Sequence, residues 1–168
     1  MKNRRSFIKK SSMGIIGVSL LSPFNNTSAK SYSRILGSND RITLAFQGLG
    51  RRFPGLLNSS LKIKNVGIKY FCDVMDKQVD KANKRYFNLT QQEVNSEKNI
   101  HKIIDDKDVD ALIIATPDHW HTYAACKGME AGKHIYLEKP CSHNLRESEL
   151  LVNYQNYYNK SVQMGNQQ

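Results

Sequence analysis

The sequence is poor in several features that would have fixed its class at once. No acidic side chain precedes Asp40, tryptophan occurs once, and the three cysteines (Cys72, Cys126 and Cys141) never form a CxxC pair. Without CxxC, neither a zinc knuckle nor a thioredoxin-type redox motif is supported. An odd cysteine count in an exported protein leaves at least one thiol free, and Cys72, ending an apolar run, reads as a small buried hydrophobe. The longest apolar stretch, MGIIGVSLL, is too short to span a bilayer comfortably. No internal repeat and no long low-complexity tract occurs. The net charge of +10 suggests a nucleic-acid binder, but no basic face with interleaved aromatics supports one.

The absence of early acids is itself informative. Lys2, Arg4, Arg5, Lys9 and Lys10 carry five of the 25 basic side chains, which leaves 20 against all 15 acids in the rest of the chain. Those are mixed in sign and scattered, as on a solvated surface. The opening NRRSFIKK, the apolar stretch after it and the small residues Thr27-Ser28-Ala29 resemble a twin-arginine export signal over residues 1–29. Asn3 stands where that motif usually has Ser. The expected destination is the periplasm, with an uncleaved N-terminal anchor or a chance basic tail as the alternatives. Residues 30–40 read as a linker.

With 168 residues, of which 39% are hydrophobic, the chain suffices for one compact domain and not for two ordinary ones. From residue 41, short apolar runs alternate with longer amphipathic ones. Strands are predicted at 41–47, 65–73, near Val94, at 109–116, 134–139 and 160–165. Helices are predicted from Pro54 to about Lys62, at 75–87, at 96–105 started by Ser96, at 118–132 stopped by Gly132, and at 144–159. Continuous apolar strands alternating with helices mean a parallel sheet covered on both faces, an α/β doubly wound fold over residues 41–168. Ligands of such sheets sit at the carboxyl ends of the strands.

The chemistry-bearing residues fall at those ends. GLGRRF follows the first strand and nearly matches G-x-G-x-x-G. Gly48 and Gly50 allow a tight turn and close approach of a pyrophosphate, while Arg51 and Arg52 add positive charge. Phe53 replaces the third glycine, which serves close helix–strand packing, so the helix is expected to pack less tightly on the first strand without loss of phosphate binding; sharply better NAD binding in Phe53→Gly would show that the departure carries a cost. Asp73, ending the second strand, fits a ribose contact and repels a 2′-phosphate, favouring NAD over NADP; its plainer reading is a helix cap. ATPDHWH follows another strand; His119 and His121 lack a third ligand of recognisable spacing, so no metal site is expected, and Trp120 reads as packing. In YLEKP, Glu138 and Lys139 meet Pro140, and a lysine there suits hydrogen bonding to a substrate oxygen and proton transfer. The bland reading of the pair is a surface salt bridge.

AFQGLG, CD, ATPDHWH, AGKHIYLEKP and VQMGNQQ, in this order, resemble the N-terminal domain of the Gfo/Idh/MocA oxidoreductases, over roughly residues 41–168. The resemblance implies a Rossmann-type fold and NAD(P)-dependent hydride transfer at a sugar, cyclitol or related polyol. It places Gly48, Gly50 and Arg51 in the phosphate loop, Asp73 at the ribose, and Thr116, Pro117 and His121 in a cofactor-side loop. Glu138 and Lys139 match its EKP motif, with Lys139 beside the nicotinamide and the reacting carbon. It also implies a second, substrate-binding domain that brings oligomerisation and a further acid/base group. On that expectation the chain is a cofactor-binding half, inactive alone. The alternatives are a non-catalytic NAD-binding or sensory domain, and a redox-neutral, NAD-using glycoside hydrolase or dehydratase of the same superfamily.

Overall fold

The computed structural model describes residues 41–166. The expected export signal, the linker and the last two residues of GNQQ lie outside them. Six strands form one parallel sheet: β1 (Ile42–Gln47), β2 (Val66–Cys72), β3 (Asn95–Glu97), β4 (Ala111–Ile114), β5 (His134–Glu138) and β6 (Val162–Gly165), in the order β3-β2-β1-β4-β5-β6. The order reverses between β1 and β4, and this switch point opens a crevice at the carboxyl ends of the two strands. The helices are α1 (Phe53–Leu61), α2 (Asp76–Thr90), α3 (Ile100–Asp105), α4 (His121–Glu130) and α5 (Leu145–Tyr158).

Alternation along the strands divides the core in two. Leu44, Phe46, Phe71 and Ile113 point to one face and pack with Phe53 and Leu57 of α1 and Val79, Ala82 and Tyr86 of α2. Ala45, Cys72, Leu112 and Ile114 point to the other, against Ile103, Ile104, Ala124, Ala125, Met129 and Leu151. Cys72 is buried as expected, and burial pushes its thiol up to about 12. Among the described residues no helix is long and apolar enough to cross a membrane.

Several element boundaries differ from the sequence expectation for local reasons. Ser96 starts no helix, because it lies within β3 and pairs with Phe71. Asn99 caps α3 instead, its side chain accepting from the His101 N–H at 3.0 Å. The predicted helix at 118–132 opens as a single 3-10 turn over Asp118–Trp120 before α4 begins. The predicted strand at 109–116 is shorter, leaving Ala115 and Thr116 in the loop that faces the crevice.

Candidate functional site

The turn after β1 is shaped by contact with the end of β4. Gly48 has φ +86°, and a Cβ there would lie 2.6 Å from the carbonyl of Ala115 and 2.7 Å from the Thr116 nitrogen. Only glycine fits both the backbone conformation and the contact. Gly50 differs: a Cβ there would meet nothing within 4 Å, so its absence leaves open space over the backbone. Helix α1 then begins with Pro54 in its first turn, no side-chain cap and no acid; the N–H groups of Phe53 and Gly55 donate to the Gly50 and Arg52 carbonyls at 3.2 and 3.1 Å, and what the helix offers an anion is the favourable field of its N-terminus.

Asp73 stands directly behind this turn. Its Oδ2 accepts from the Leu49 N–H at 2.8 Å and its Oδ1 from the Met75 N–H at 2.9 Å. The carboxylate thus ties the end of β2 to the glycine turn and shapes the entry to α2. It is not the cap of that helix, since the N-cap position belongs to Met75. Each oxygen keeps a further lone pair for a hydroxyl donor.

Phe53 is part of the core. It is 2% exposed, and its ring stands edge-on to Phe46 at 5.5 Å and to Phe71 at 4.9 Å, with Phe71 in turn edge-on to Tyr86 at 5.6 Å. The space a glycine would close by helix–strand approach is filled here by an aromatic cluster, with the ring of Phe53 standing between α1 and the strands.

Arg52 is also placed differently from the sequence reading. Its Nε donates to Glu138 Oε1 at 3.1 Å rather than standing free beside the turn. Glu138 is 3% exposed and ends β5. Its other oxygen accepts from the Lys139 N–H at 3.3 Å, so the charge of the EKP segment is anchored across the crevice to the glycine turn. Lys139 itself is exposed, and its ammonium meets no carboxylate among the described residues. The bland reading of a surface salt bridge holds in part: Glu138 pairs with Arg52 of the turn, but from a buried side chain.

His121 joins the same ends from within. It is 1% exposed, with Nδ1 2.7 Å from the Pro140 carbonyl oxygen and Nε2 2.8 Å from that of Thr116. A neutral imidazole donates to one of these oxygens and a doubly protonated one to both. Either way the ring is a buried strut between the β4 and β5 loops and turns no nitrogen to the crevice. His119 points elsewhere, toward Asp118 at 3.6 Å, so the two histidines do not converge. His143 beside Asp118 holds that carboxyl below its usual range. Trp120 is 52% exposed and stands edge-on to Tyr123 at 6.1 Å, so it is not the packing residue expected.

The structure therefore brings Gly48, Gly50, Asp73, Thr116, Glu138 and Lys139 to neighbouring strand ends, with Pro117 exposed beside Thr116 and Arg51 on the outer side of the turn. Two buried polar atoms at these ends, Gln47 Oε1 and Thr116 Oγ1, have no hydrogen-bond partner among the described residues. Unsatisfied buried polar atoms are rare in folded chains and suit a polar ligand. Together with the open space at Gly50 and the N-terminus of α1, which no side chain caps, they fit a dinucleotide lying across the switch point. Sequence reasoning missed the Arg52–Glu138 pair and the strut at His121, neither of which leaves a local signal.

Comparison with known proteins agrees with this geometry. Residues 45–166 match the Gfo/Idh/MocA profile, described as "Oxidoreductase family, NAD-binding Rossmann fold". A glycosyl hydrolase family 109 protein of Shewanella pealeana is 27% identical over 165 residues, covering 89% of this chain and 36% of the relative. A protein of the same description from Bacteroides fragilis is 32% identical over 118 residues, covering 68% and 25%. Among solved structures, myo-inositol 2-dehydrogenase from Lactobacillus plantarum superposes with a TM-score of 0.65 at 24% identity, covering 74% of this chain and 36% of that one. The WlbA dehydrogenase from Bordetella pertussis, in complex with NADH and UDP-GlcNAcA, gives 0.64 at 18% identity, covering 74% and 35%. The match spans about a quarter to a third of the length of these proteins.

Proposed function

The chain belongs to the Gfo/Idh/MocA oxidoreductase family, and from that premise we propose that residues 41–166 are the cofactor half of an enzyme that exchanges hydride with a carbohydrate-like substrate. The observation that carries the reading is the convergence of the glycine turn, Asp73, Thr116 and Lys139 on one switch-point crevice. In this reading the backbone at Gly48 and Gly50, with Arg51 and the N-terminus of α1, receives the pyrophosphate. Asp73 accepts ribose hydroxyls, and its charge favours NAD over NADP. The Thr116 hydroxyl and the exposed Pro117 bound the nicotinamide side, with His121 holding their loop against the EKP segment. A bound nicotinamide supplies the hydride acceptor or donor.

Lys139 does the proton work. Its exposed ammonium donates a hydrogen bond to a substrate oxygen and, as a free amine, takes that oxygen's proton. Glu138 stays buried against Arg52 and fixes the backbone from which Lys139 reaches out. The substrate must be held against the nicotinamide for transfer to occur. Residues 41–166 are assigned only the cofactor side, so we expect dinucleotide binding without turnover from them alone. The twin-arginine-like NRRSFIKK supports export to the periplasm; replacing both arginines by lysine would then retain the protein in the cytoplasm.

A second reading is favoured by the names of the sequence relatives, which are glycosyl hydrolases. In it, the same groups serve glycosidic cleavage with no net change in the cofactor. The test is titration calorimetry with NAD⁺, followed by incubation of the native enzyme with a polyol panel and with aryl glycosides. Stoichiometric NADH from a polyol supports net oxidation, and phenol release without NADH accumulation supports the second reading. A folded chain that binds no dinucleotide overturns both.

A further inference from the structure

We propose that the hollow between α4 and α5 binds a neutral pyranose ring, laid on exposed aromatic side chains and held at its edge by carboxylates. The site lies outside the dinucleotide crevice, and its occupation does not depend on the cofactor.

The hollow has a volume of about 300 Å³, at the lower end of small-ligand clefts, which run from roughly 300 to 1,000 Å³. Tyr123 and Cys126 of α4 and Leu150 and Tyr154 of α5 give it apolar surface. Trp120 adjoins it, edge-on to Tyr123 at 6.1 Å and tilted by 49° to His119 at 6.0 Å. Neither neighbour stacks on the indole, which is half exposed, so its flat surface stays available to a ligand.

Polar groups line the same hollow. Glu130 accepts from the Lys127 ammonium at 2.6 Å and from the Tyr154 hydroxyl at 3.3 Å. Glu147 accepts from the Thr122 hydroxyl at 3.0 Å, the His143 N–H at 2.9 Å and the Asn144 amide at 3.0 Å. These contacts hold both carboxyls below the usual range, with Lys127 leading for Glu130 and the His143 N–H for Glu147. A carboxylate has about four acceptor sites, so each keeps room for a hydroxyl donor.

The charges decide the class of ligand. Lys127 is balanced by Glu130, and Glu147 adds a negative charge, so an anionic sugar or a nucleotide is repelled. A neutral pyranose has partly positive C–H groups on its faces and hydroxyls around its edge. The first suit the negative face of an aromatic ring, the second the carboxylates. An acyclic polyol offers the hydroxyls without the flat face. His119 lines the hollow just beyond Pro117, and Glu147 holds the N–H of His143 in the loop that follows Lys139. The hollow thus borders both crevice loops and suits a further ring of a glycoside whose reacting ring lies at Lys139. That placement rests on the reading above; the binding of a ring does not.

The sequence has one tryptophan, so its emission reports this site directly. The test is fluorescence titration of the chain with the methyl glycosides of glucose, galactose and mannose, with sorbitol and glucuronate as acyclic and anionic counterparts. The expected result is a saturable shift in emission with at least one glycoside, at a dissociation constant on the order of 1–10 mM, and none with sorbitol or glucuronate. Tyr123→Ala should weaken that affinity about fivefold or more, with circular dichroism checking the fold. Tyr123→Leu, which keeps apolar volume without the ring, gives the same reading if the alanine variant unfolds. Unchanged affinity in a folded Tyr123 variant, an equal response to sorbitol, or a response to glucuronate alone overturns the proposal. So does a folded chain with no saturable change for any of the glycosides up to about 100 mM. Emission that instead follows protein concentration, with a doubled mass in sedimentation, shows a second copy on this face and overturns it as well.

Discussion

The Nε of Arg52 lies 3.1 Å from Oε1 of Glu138, joining the turn after β1 to the end of β5 across 86 residues of sequence. Glu138 is buried, so its charge depends on such partners, and the bond fixes the strand end from which Lys139 projects. Arg52→Ala should cost about 2 kcal/mol in chemical denaturation. That is less than the roughly 3–5 kcal/mol of a fully buried pair, because Arg52 is 44% exposed and solvent screens it. Arg52→Lys should recover part of the loss, since it keeps the charge without the planar fork. No change on Arg52→Ala would mean that the contact is incidental.

Phe53→Gly should destabilise the chain by about 3–5 kcal/mol, the range for emptying a buried aromatic position. The ring is edge-on to both Phe46 and Phe71, and a glycine at the start of α1 would leave that space unfilled. Dinucleotide affinity should not improve, although restoring G-x-G-x-x-G is what the motif alone recommends. Thermal melting and calorimetry on the same variant separate the two quantities. Tighter binding with intact stability would contradict the packing account.

The two glycines of the turn should separate fold from binding. Gly48→Ala drives a methyl into the Ala115 carbonyl and strains a residue at φ +86°, so stability should fall by about 2 kcal/mol or more. Gly50→Ala places its methyl in open space. It should leave stability within about 0.5 kcal/mol while weakening NAD⁺ about tenfold or more, because the methyl occupies the approach to the backbone. Equal behaviour of the two variants would sink this division of roles.

The parallel sheet was legible because its inner strands are apolar on both faces: ITLAF and ALII carry no charge to mark an exposed side. The strand-end residues followed from the fold, since Gly48, Asp73, Thr116 and Glu138 each close a strand or lie just beyond it. What escaped the sequence were relations between distant segments. Nothing near Phe53 announces that Phe46 and Phe71 face the same layer, and nothing near Arg52 announces Glu138. The family resemblance assigned His121 to a cofactor-side loop, yet the first turn of α4 carries its ring inward between two carbonyl groups. Ser96 and Asn99 are both plausible caps, and pairing of β3 with β2 decided between them.

His121→Leu should expose the importance of that strut. The substitution removes both ring nitrogens from between the carbonyls of Thr116 and Pro140 and leaves at least one of them without its donor, at about 1–3 kcal/mol. Because these carbonyls belong to the loops flanking Thr116 and Lys139, NAD⁺ affinity should fall with stability. Retained affinity in a destabilised variant would show that the strut serves the fold alone.

A last expectation concerns acid stability at the opposite end of the sheet. Asp106 accepts from the Lys69 ammonium at 2.7 Å, from the Tyr70 hydroxyl at 2.8 Å and from the Asp108 N–H at 2.9 Å. The Lys69 contact leads these in holding its carboxyl down at about 2, below the ordinary aspartate value near 3.9. A carboxyl depressed in the folded state binds protons more readily when unfolded, so its contribution is complete above about pH 4 and fades as pH falls toward about 2. The same contacts raise the Lys69 ammonium, whose contribution is lost only in strong alkali. Asp106→Asn should therefore lower stability at neutral pH and flatten the stability profile between about pH 4 and pH 2 relative to the native chain. Denaturant titrations at a series of pH values provide the comparison, and parallel profiles for the two proteins would show that the acid sensitivity arises at other carboxylates.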